Sequence, residues 1–151
     1  MTNDRTLQGS LRILLGLILS SAVFAFACAG SNQGDLRQQL IGTEWLLNDL
    51  AGTAVADGVR TTLKFGEEDR LTGQGGCNGY FGQIQWGESG VKIGPLGATR
   101  MACEGAPMEQ EDLYFQVLEK ASEISRDGDD LVITCTGYDA PLRFSQVSVS
   151  E

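Results

Sequence analysis

The sequence predicts an α+β domain: a curled, partly barrel-like antiparallel sheet with one amphipathic helix packed on it. Short runs of alternating apolar and polar residues, joined by tight turns, fill the chain from residue 43 to residue 95. Such runs favour antiparallel pairing with one buried face. One long stretch, Pro107 to Ser125, has helical instead of two-residue spacing. Two more strand-like runs close the chain. A single helix beside so many strands must cover the buried face or plug an open end of the sheet.

Each element has its own justification. Leu36, Leu40 and Ile41 allow a short helical turn before Gly42. TEWLLNDL, residues 43 to 50, reads as a strand with Trp45 and Leu47 on one face. Gly52 and the Asp57-Gly58 pair mark turns. TTLKF, residues 61 to 65, points Leu63 and Phe65 inward, and EEDR turns the chain. YFGQIQW, residues 80 to 86, sets Tyr80, Ile84 and Trp86 against Gln83 and Gln85. GESG connects it to VKIGPL, a short strand. In the helical stretch Pro107 suits the first position, and Glu109, Glu111 and Asp112 complement the positive helix start. Leu113, Tyr114, Val117, Leu118, Ala121 and Ile124 share one face. RDGDD ends the helix; LVITC and LRFSQV form the closing hairpin around TGYDAP.

The N-terminus has a different character. Arg5 and Arg12 precede the uncharged run Ile13 to Ala27, which is shorter than the roughly 20 residues needed to span a bilayer as a helix. Basic start, apolar middle and small residues near a cut form a secretory signal peptide over residues 1–27. Cys28 follows AFA and precedes the small, polar AGSNQGD. That arrangement suits a lipid anchor on Cys28 and a flexible tether over residues 28–37, with the folded domain at 38–147. Plain secretion is the alternative, because Phe26 is larger than the residue usual before a lipidated cysteine. The expected location is the cell envelope, periplasmic or extracytoplasmic, with membrane attachment through the anchor.

Composition excludes several function classes. Cleavage after Ala27 leaves 9 basic and 19 acidic residues. That balance argues against nucleic acid and against docking on anionic lipid by charge alone. The chain has no histidine. Ser-His-Asp and Cys-His catalysis therefore lack their usual base, and common zinc sites lack imidazole.

The stretch LTGQGGCNGYFG, residues 71 to 82, contains five glycines. It does not match a phosphate loop: the third glycine of GxGxxG is misplaced, and strand-like residues follow where a helix start is needed. Glycine here serves a bulge or a close backbone approach, and Asn78 tolerates the left-handed conformation. Glu109 and Glu111 read as a solvated first turn, pointing away from each other, not as paired catalytic acids. Three cysteines remain beyond Cys28: Cys77, Cys103 and Cys135. An oxidising compartment permits a disulfide among them, and reduced burial is the other option. Cys135 shares a face with Leu131 and Ile133, which suits a buried free thiol.

GGCN at 75–78 followed by GYFG resembles the first signature of the META domain, the heat-inducible HslJ type. TRMAC at 99–103 resembles its second signature. GTEWLL, MEQEDLYFQVL, DGDDLVIT and PLRF are similar to its opening strand, helix and closing hairpin, so the likeness spans residues 40 to 146. The resemblance implies that Cys77 and Cys103, one in each signature, approach and bond; Cys77 with Cys135 is the competing pair. It implies a small envelope domain, often on lipoproteins, linked with stress tolerance and not known for catalysis. No enzyme activity, cofactor or metal is expected. The expected role is a stress-tolerance or protein-interaction module with an unknown envelope partner. The alternative is a carrier of a lipid or other apolar ligand, or a secretion-pilot-like binder, using a cavity between sheet and helix. Arg100, Met101, Asn78, Trp45 and Trp86 are the candidate interaction or ligand residues. The plainer expectations are an ion pair from Arg100 to Glu104 or Glu111, and core packing for Met101 and both tryptophans.

Overall fold

The structure, a computed structural model, describes residues 32–148. Its element order is α1 (Asn32–Leu40), β1 (Glu44–Leu50), β2 (Thr53–Ala54), β3 (Thr62–Phe65), β4 (Arg70–Gln74), β5 (Gly79–Gly87), β6 (Gly90–Ile93), β7 (Gly97–Ala98), α2 (Ala106–Leu118), β8 (Ala121–Asp127), β9 (Asp130–Cys135) and β10 (Leu142–Gln146). The strands pair antiparallel in the order β6-β5-β4-β3-β1-β10-β9-β8, with β2 added to β1 and β7 to β5. The sheet curls until its two edge strands, β6 and β8, meet in an unsealed seam. A side chain on Gly90 would strike the Ser122 carbonyl oxygen, so only glycine lets the edges come this close.

Alternation builds the interior. β1 buries Trp45, Leu47 and Leu50; β3 buries Leu63 and Phe65; β5 buries Tyr80 and Ile84. β9 and β10 add Leu131, Ile133, Leu142 and Phe144. Trp45, Tyr114 and Phe144 are the bulkiest fully enclosed side chains, and they fill the barrel. The interior is thus a packed core.

The two helices close opposite ends. Arg37 of α1 pairs with Asp69 in the β3–β4 turn at 2.8 Å, and Leu40 is fully buried. At the other end α2 packs on the corner between β4 and β5. The expected helical turn at residues 36–41 is in fact a helix starting at Asn32, inside the stretch read as tether. Its signal is weak because only Leu36 and Leu40, one turn apart, face the core.

The expected helix from Pro107 to Ser125 is shorter than its spacing suggested. Helix α2 ends at Leu118, and Ala121–Asp127 is strand β8, paired with β9. A bulge between Ala121 and Glu123 explains the difference. An extra residue in a strand puts positions three apart on the same face, as a helix does. Ala121 and Ile124 are both buried this way, so they continued the apparent helical stripe.

Gly73 shows how tightly β4 is held. A Cβ there would lie 2.0 Å from the Thr62 carbonyl oxygen and 2.8 Å from the Tyr80 ring. Gly73→Ala is expected to lower stability by about 1–3 kcal/mol or more, because backbone and a buried ring cannot both retreat. Chemical denaturation checks it: a midpoint within error of wild type would contradict the contact.

Candidate functional site

The glycine-rich corner is built around one carboxylate. Helix α2 buries Gln110, Glu111, Tyr114, Val117 and Leu118. Glu111 is only 3 % exposed. Its Oε2 accepts hydrogen bonds from the Cys77 backbone N–H at 2.9 Å and the Asn78 N–H at 2.5 Å. Its Oε1 accepts from Asn78 Nδ2 at 2.7 Å. The turn closes with Gly75 N–H donating to the Asn78 carbonyl at 2.8 Å. A buried charged acceptor that satisfies several donors is strongly held. Glu111 was expected in a solvated first turn; instead it is the centre of the corner. The signal was present in the spacing, since Glu111 leads Tyr114 and Leu118 along one helical stripe.

The glycines make room for this helix. A Cβ on Gly75 would lie 2.7 Å from the Phe115 ring and 2.8 Å from the Glu111 side chain. One on Gly76 would lie 2.5 Å from the Pro107 carbonyl oxygen. Close approach, not phosphate binding, is what the glycine run provides.

Asn78 then ties the corner to the second signature stretch. Its Oδ1 accepts from Thr99 Oγ1 at 2.8 Å and from the Met101 N–H at 2.7 Å. Cys77 and Cys103 form a disulfide, with Cα atoms 5.9 Å apart. The competing Cys77–Cys135 pairing is not formed; Cys135 is a buried free thiol. The bond closes a loop with a sequence separation of 26 residues. On the chain-entropy estimate such a loop contributes about 3.5 kcal/mol.

A second polar layer sits beside the first. Gln110 Nε2 donates to Thr61 Oγ1 at 2.8 Å, and Thr61 Oγ1 donates to the Gly75 carbonyl at 2.6 Å. Gln110 Oε1 accepts from Ala56 N–H at 2.7 Å. Deeper in, Tyr80 Oη lies 3.0 Å from the Thr62 carbonyl and 2.8 Å from Tyr114 Oη. Tyr80 has one hydroxyl proton, which goes to the carbonyl, so Tyr114 donates to Tyr80. Burial raises both phenols above the ordinary range, and the neighbouring Tyr80 raises Tyr114 further. Neither Thr61, Gln110 nor the tyrosine pair was singled out from sequence.

The candidate interaction residues separate. Asn78 is buried and spent on the corner. Arg100 is exposed, and among the described residues it makes no ion pair; Glu111, one expected partner, is already saturated. Met101 is not core filler: it is 57 % exposed, because Asn78 clamps its backbone while its side chain points outward. Trp45 is enclosed, donates from Nε1 to Thr43 Oγ1 at 2.7 Å, and lies under the Arg126 guanidinium at 4.8 Å. Trp86 is half-buried in the wall of an open cleft at the seam. The two tryptophans therefore line no common pocket. Cys28 lies outside the described residues. Among the described residues, no cluster of three or more His, Cys, Asp and Glu side chains is placed to hold a metal ion.

Two predictions follow the chemistry. Glu111→Ala strands three buried donors and is expected to cost about 2–5 kcal/mol, with Glu111→Gln milder because it keeps one acceptor oxygen. Equal stability of wild type and Glu111→Ala in urea would contradict the assignment. Burial pushes the Cys135 thiol up to about 11 from its ordinary 9.0. The unfolded chain therefore loses this proton first, so stability contributed by the neutral thiol is fully present below pH 9 and is lost as pH rises toward 11. Stability against pH should fall less steeply over that window in Cys135→Ala than in wild type; identical slopes would contradict it.

Comparison with known proteins places this geometry. Comparison with curated proteins returns no match. The chain is similar to a solution NMR structure of a protein from Burkholderia xenovorans, with 24 % identity, a TM-score of 0.62, and coverage of 76 % of this chain and 88 % of that one. It is also similar to a crystal structure of a DUF4847 family protein from Bacteroides vulgatus ATCC 8482, with 14 % identity, a TM-score of 0.51, and coverage of 73 % and 96 %. At these identities the likeness is one of fold. The model of the META domain family matches residues 38–148, the whole barrel with both signature stretches, and the chain belongs to that family.

Proposed function

We propose that the chain is a non-catalytic cell-envelope lipoprotein, anchored through Cys28, that serves stress tolerance by binding an envelope protein through its Arg100–Met101 edge. One observation carries the reading. The polar atoms of the two signature stretches are turned toward each other and toward Glu111, while Arg100 and Met101 are displayed outward on the frame they form. An exposed arginine and methionine on a held backbone suit a protein contact: the backbone of the stretch is already fixed by Asn78 and the disulfide, and both residue types are enriched at interfaces. The groups with raised pKa, Tyr80, Tyr114 and Cys135, are enclosed and bonded, a pattern that supports structural roles. The filled interior favours this reading over a carrier of an apolar ligand, whose cargo would need the space occupied by Trp45, Tyr114 and Phe144. The small polar residues after Cys28 support the anchor.

A photo-crosslinking residue at position 100 or 101, expressed in the native host, is expected to trap a discrete envelope partner. Arg100→Ala with Met101→Ala should abolish stress protection while changing stability by no more than about 0.5 kcal/mol, since both side chains are exposed. Full protection by that variant would overturn the reading. Intact mass of the mature protein should show a lipid-sized increment on Cys28; its absence in the native host would overturn the anchor.

A further inference from the structure

The stretch after Pro95 is an edge strand with one side spent and the other open. β7 pairs only with β5, Tyr80 opposite Ala98 and Phe81 opposite Gly97. The same track continues past β7. Thr99 N–H donates to the Gly79 carbonyl at 2.9 Å, and Met101 N–H donates to Asn78 Oδ1 at 2.7 Å. Bonding alternates along an antiparallel strand, so the even-numbered residues turn their backbone groups away from β5. Leu96 marks that direction: its N–H donates to Glu119 Oε1 at 2.9 Å. Ala98 and Arg100 are left with N–H and C=O groups that no other described residue meets, and both residues are exposed.

Exposed apolar side chains gather on this edge. Among the described residues, the large exposed ones are Ile41, Phe81 and Met101. Phe81 is 62 % exposed, and its ring lies over Gly97, where an added Cβ would come 2.5 Å from the ring tip. The bare glycine lets the ring reach across β7 toward its open side. Residues opposite each other share a face, and alternation puts Thr99 and Met101 on that face with Gly97 and Phe81. Arg100 falls on the other face, with no carboxylate in ion-pair range among the described residues. β2 also pairs on one side only, but its two residues, Thr53 and Ala54, offer neither a large apolar nor a charged side chain.

Unpaired backbone donors and acceptors in strand geometry select an extended polypeptide, which supplies matching groups at the same spacing. A second copy would bring another such edge, but residues 95–103 contain no acid to meet Arg100, and Glu119 is engaged by Leu96. We propose that a segment of the protein partner adds to β7 as a strand, antiparallel like its neighbours, and bonds to Ala98 and Arg100. The edge sets the chemistry of that segment. The residues opposite Gly97 and Met101 are apolar, packing on the Phe81 ring and the Met101 side chain. The residue opposite Arg100 is acidic. This inference rests on the protein-partner reading above and specifies how that partner is recognised.

The test uses the full isotope-labelled chain in detergent micelles, with the peptide acetyl-TTVETTVTT-amide as probe. In the proposed register its sixth residue lies opposite Ala98, its valines opposite Gly97 and Met101, and its glutamate opposite Arg100. Slowed exchange of the Ala98 and Arg100 amides is expected, with shifts at Phe81. The same peptide with proline at its sixth position should bind about tenfold more weakly, and with lysine in place of glutamate about threefold more weakly. Ala98→Pro removes an N–H that the domain itself does not use. The Cys77 and Asn78 amides should stay protected in that variant while peptide binding is lost. Unprotected Ala98 and Arg100 amides at millimolar peptide would overturn the proposal, as would equal binding of the proline peptide. Shifts at Ala98 that grow with protein concentration in the absence of peptide would assign the edge to a second copy and overturn it too. In the native host, Ala98→Pro should abolish photo-crosslinking from position 101. Crosslinking that persists in that variant would overturn strand addition and leave the protein-partner reading standing, whereas no crosslink in the parent chain would overturn both.

Discussion

The carboxylate of Glu111 is the interaction on which the rest of this domain depends. It reaches from helix α2 into a backbone corner and accepts the Cys77 and Asn78 N–H groups together with the Asn78 amide. A corner that bends this sharply exposes donors with no strand partner, and burying them under a helix requires an acceptor from that helix. Once the acceptor is present, the glycines at 75 and 76 are needed to let the helix approach. Asn78, oriented by Glu111, then has its Oδ1 free to hold Thr99 and Met101. The disulfide fixes the same two stretches covalently. Acid, glycines, asparagine and cysteines are one device seen from different positions in the chain.

That device explains why a barrel with an unsealed seam closes well at this end. The sheet supplies an apolar centre, and α2 supplies a polar layer above it through Gln110, Glu111 and Tyr114, before Val117 and Leu118 return to apolar packing. Partly satisfied buried polar groups destabilise, whereas fully connected ones specify a single arrangement. Here the Gln110–Thr61–Gly75 chain and the tyrosine pair are connected throughout. The opposite end is simpler, with α1 held by Leu40 and the Arg37–Asp69 ion pair. Outside this frame, Arg100 and Met101 stand exposed on the stretch that Asn78 holds.

Much of the fold was legible because period-two alternation reports burial directly. Trp45, Leu47, Leu63, Phe65, Tyr80 and Ile84 all face the core as alternation requires. The boundary between α2 and β8 was not legible, because the bulge after Ala121 imitates helical spacing. Helix α1 was faint because one turn of apolar contact leaves little pattern. The Cys77–Cys103 bond came from the family signatures, with Cys77–Cys135 as the competing pair, while the face that Cys135 shares with Leu131 and Ile133 already marked it as a buried free thiol. Glu111 was misread for a physical reason: an acid near a helix start has an adequate explanation in the helix dipole, and its place on the buried stripe conflicts with the usual exposure of glutamate. Met101 was misread in the opposite sense, since an apolar side chain was expected to be inside.

Amide hydrogen exchange at Cys77 and Asn78 tests the central claim most directly. These two N–H groups lie in a turn, outside any regular strand ladder, yet both are bonded to a buried carboxylate. They should exchange as slowly as the amides of β4 and β5 in the wild type. In Glu111→Gln their protection should drop while that of Leu71 and Ile84 persists. Fast exchange of Cys77 and Asn78 in the wild type, at the rate of an ordinary surface turn, would contradict the account.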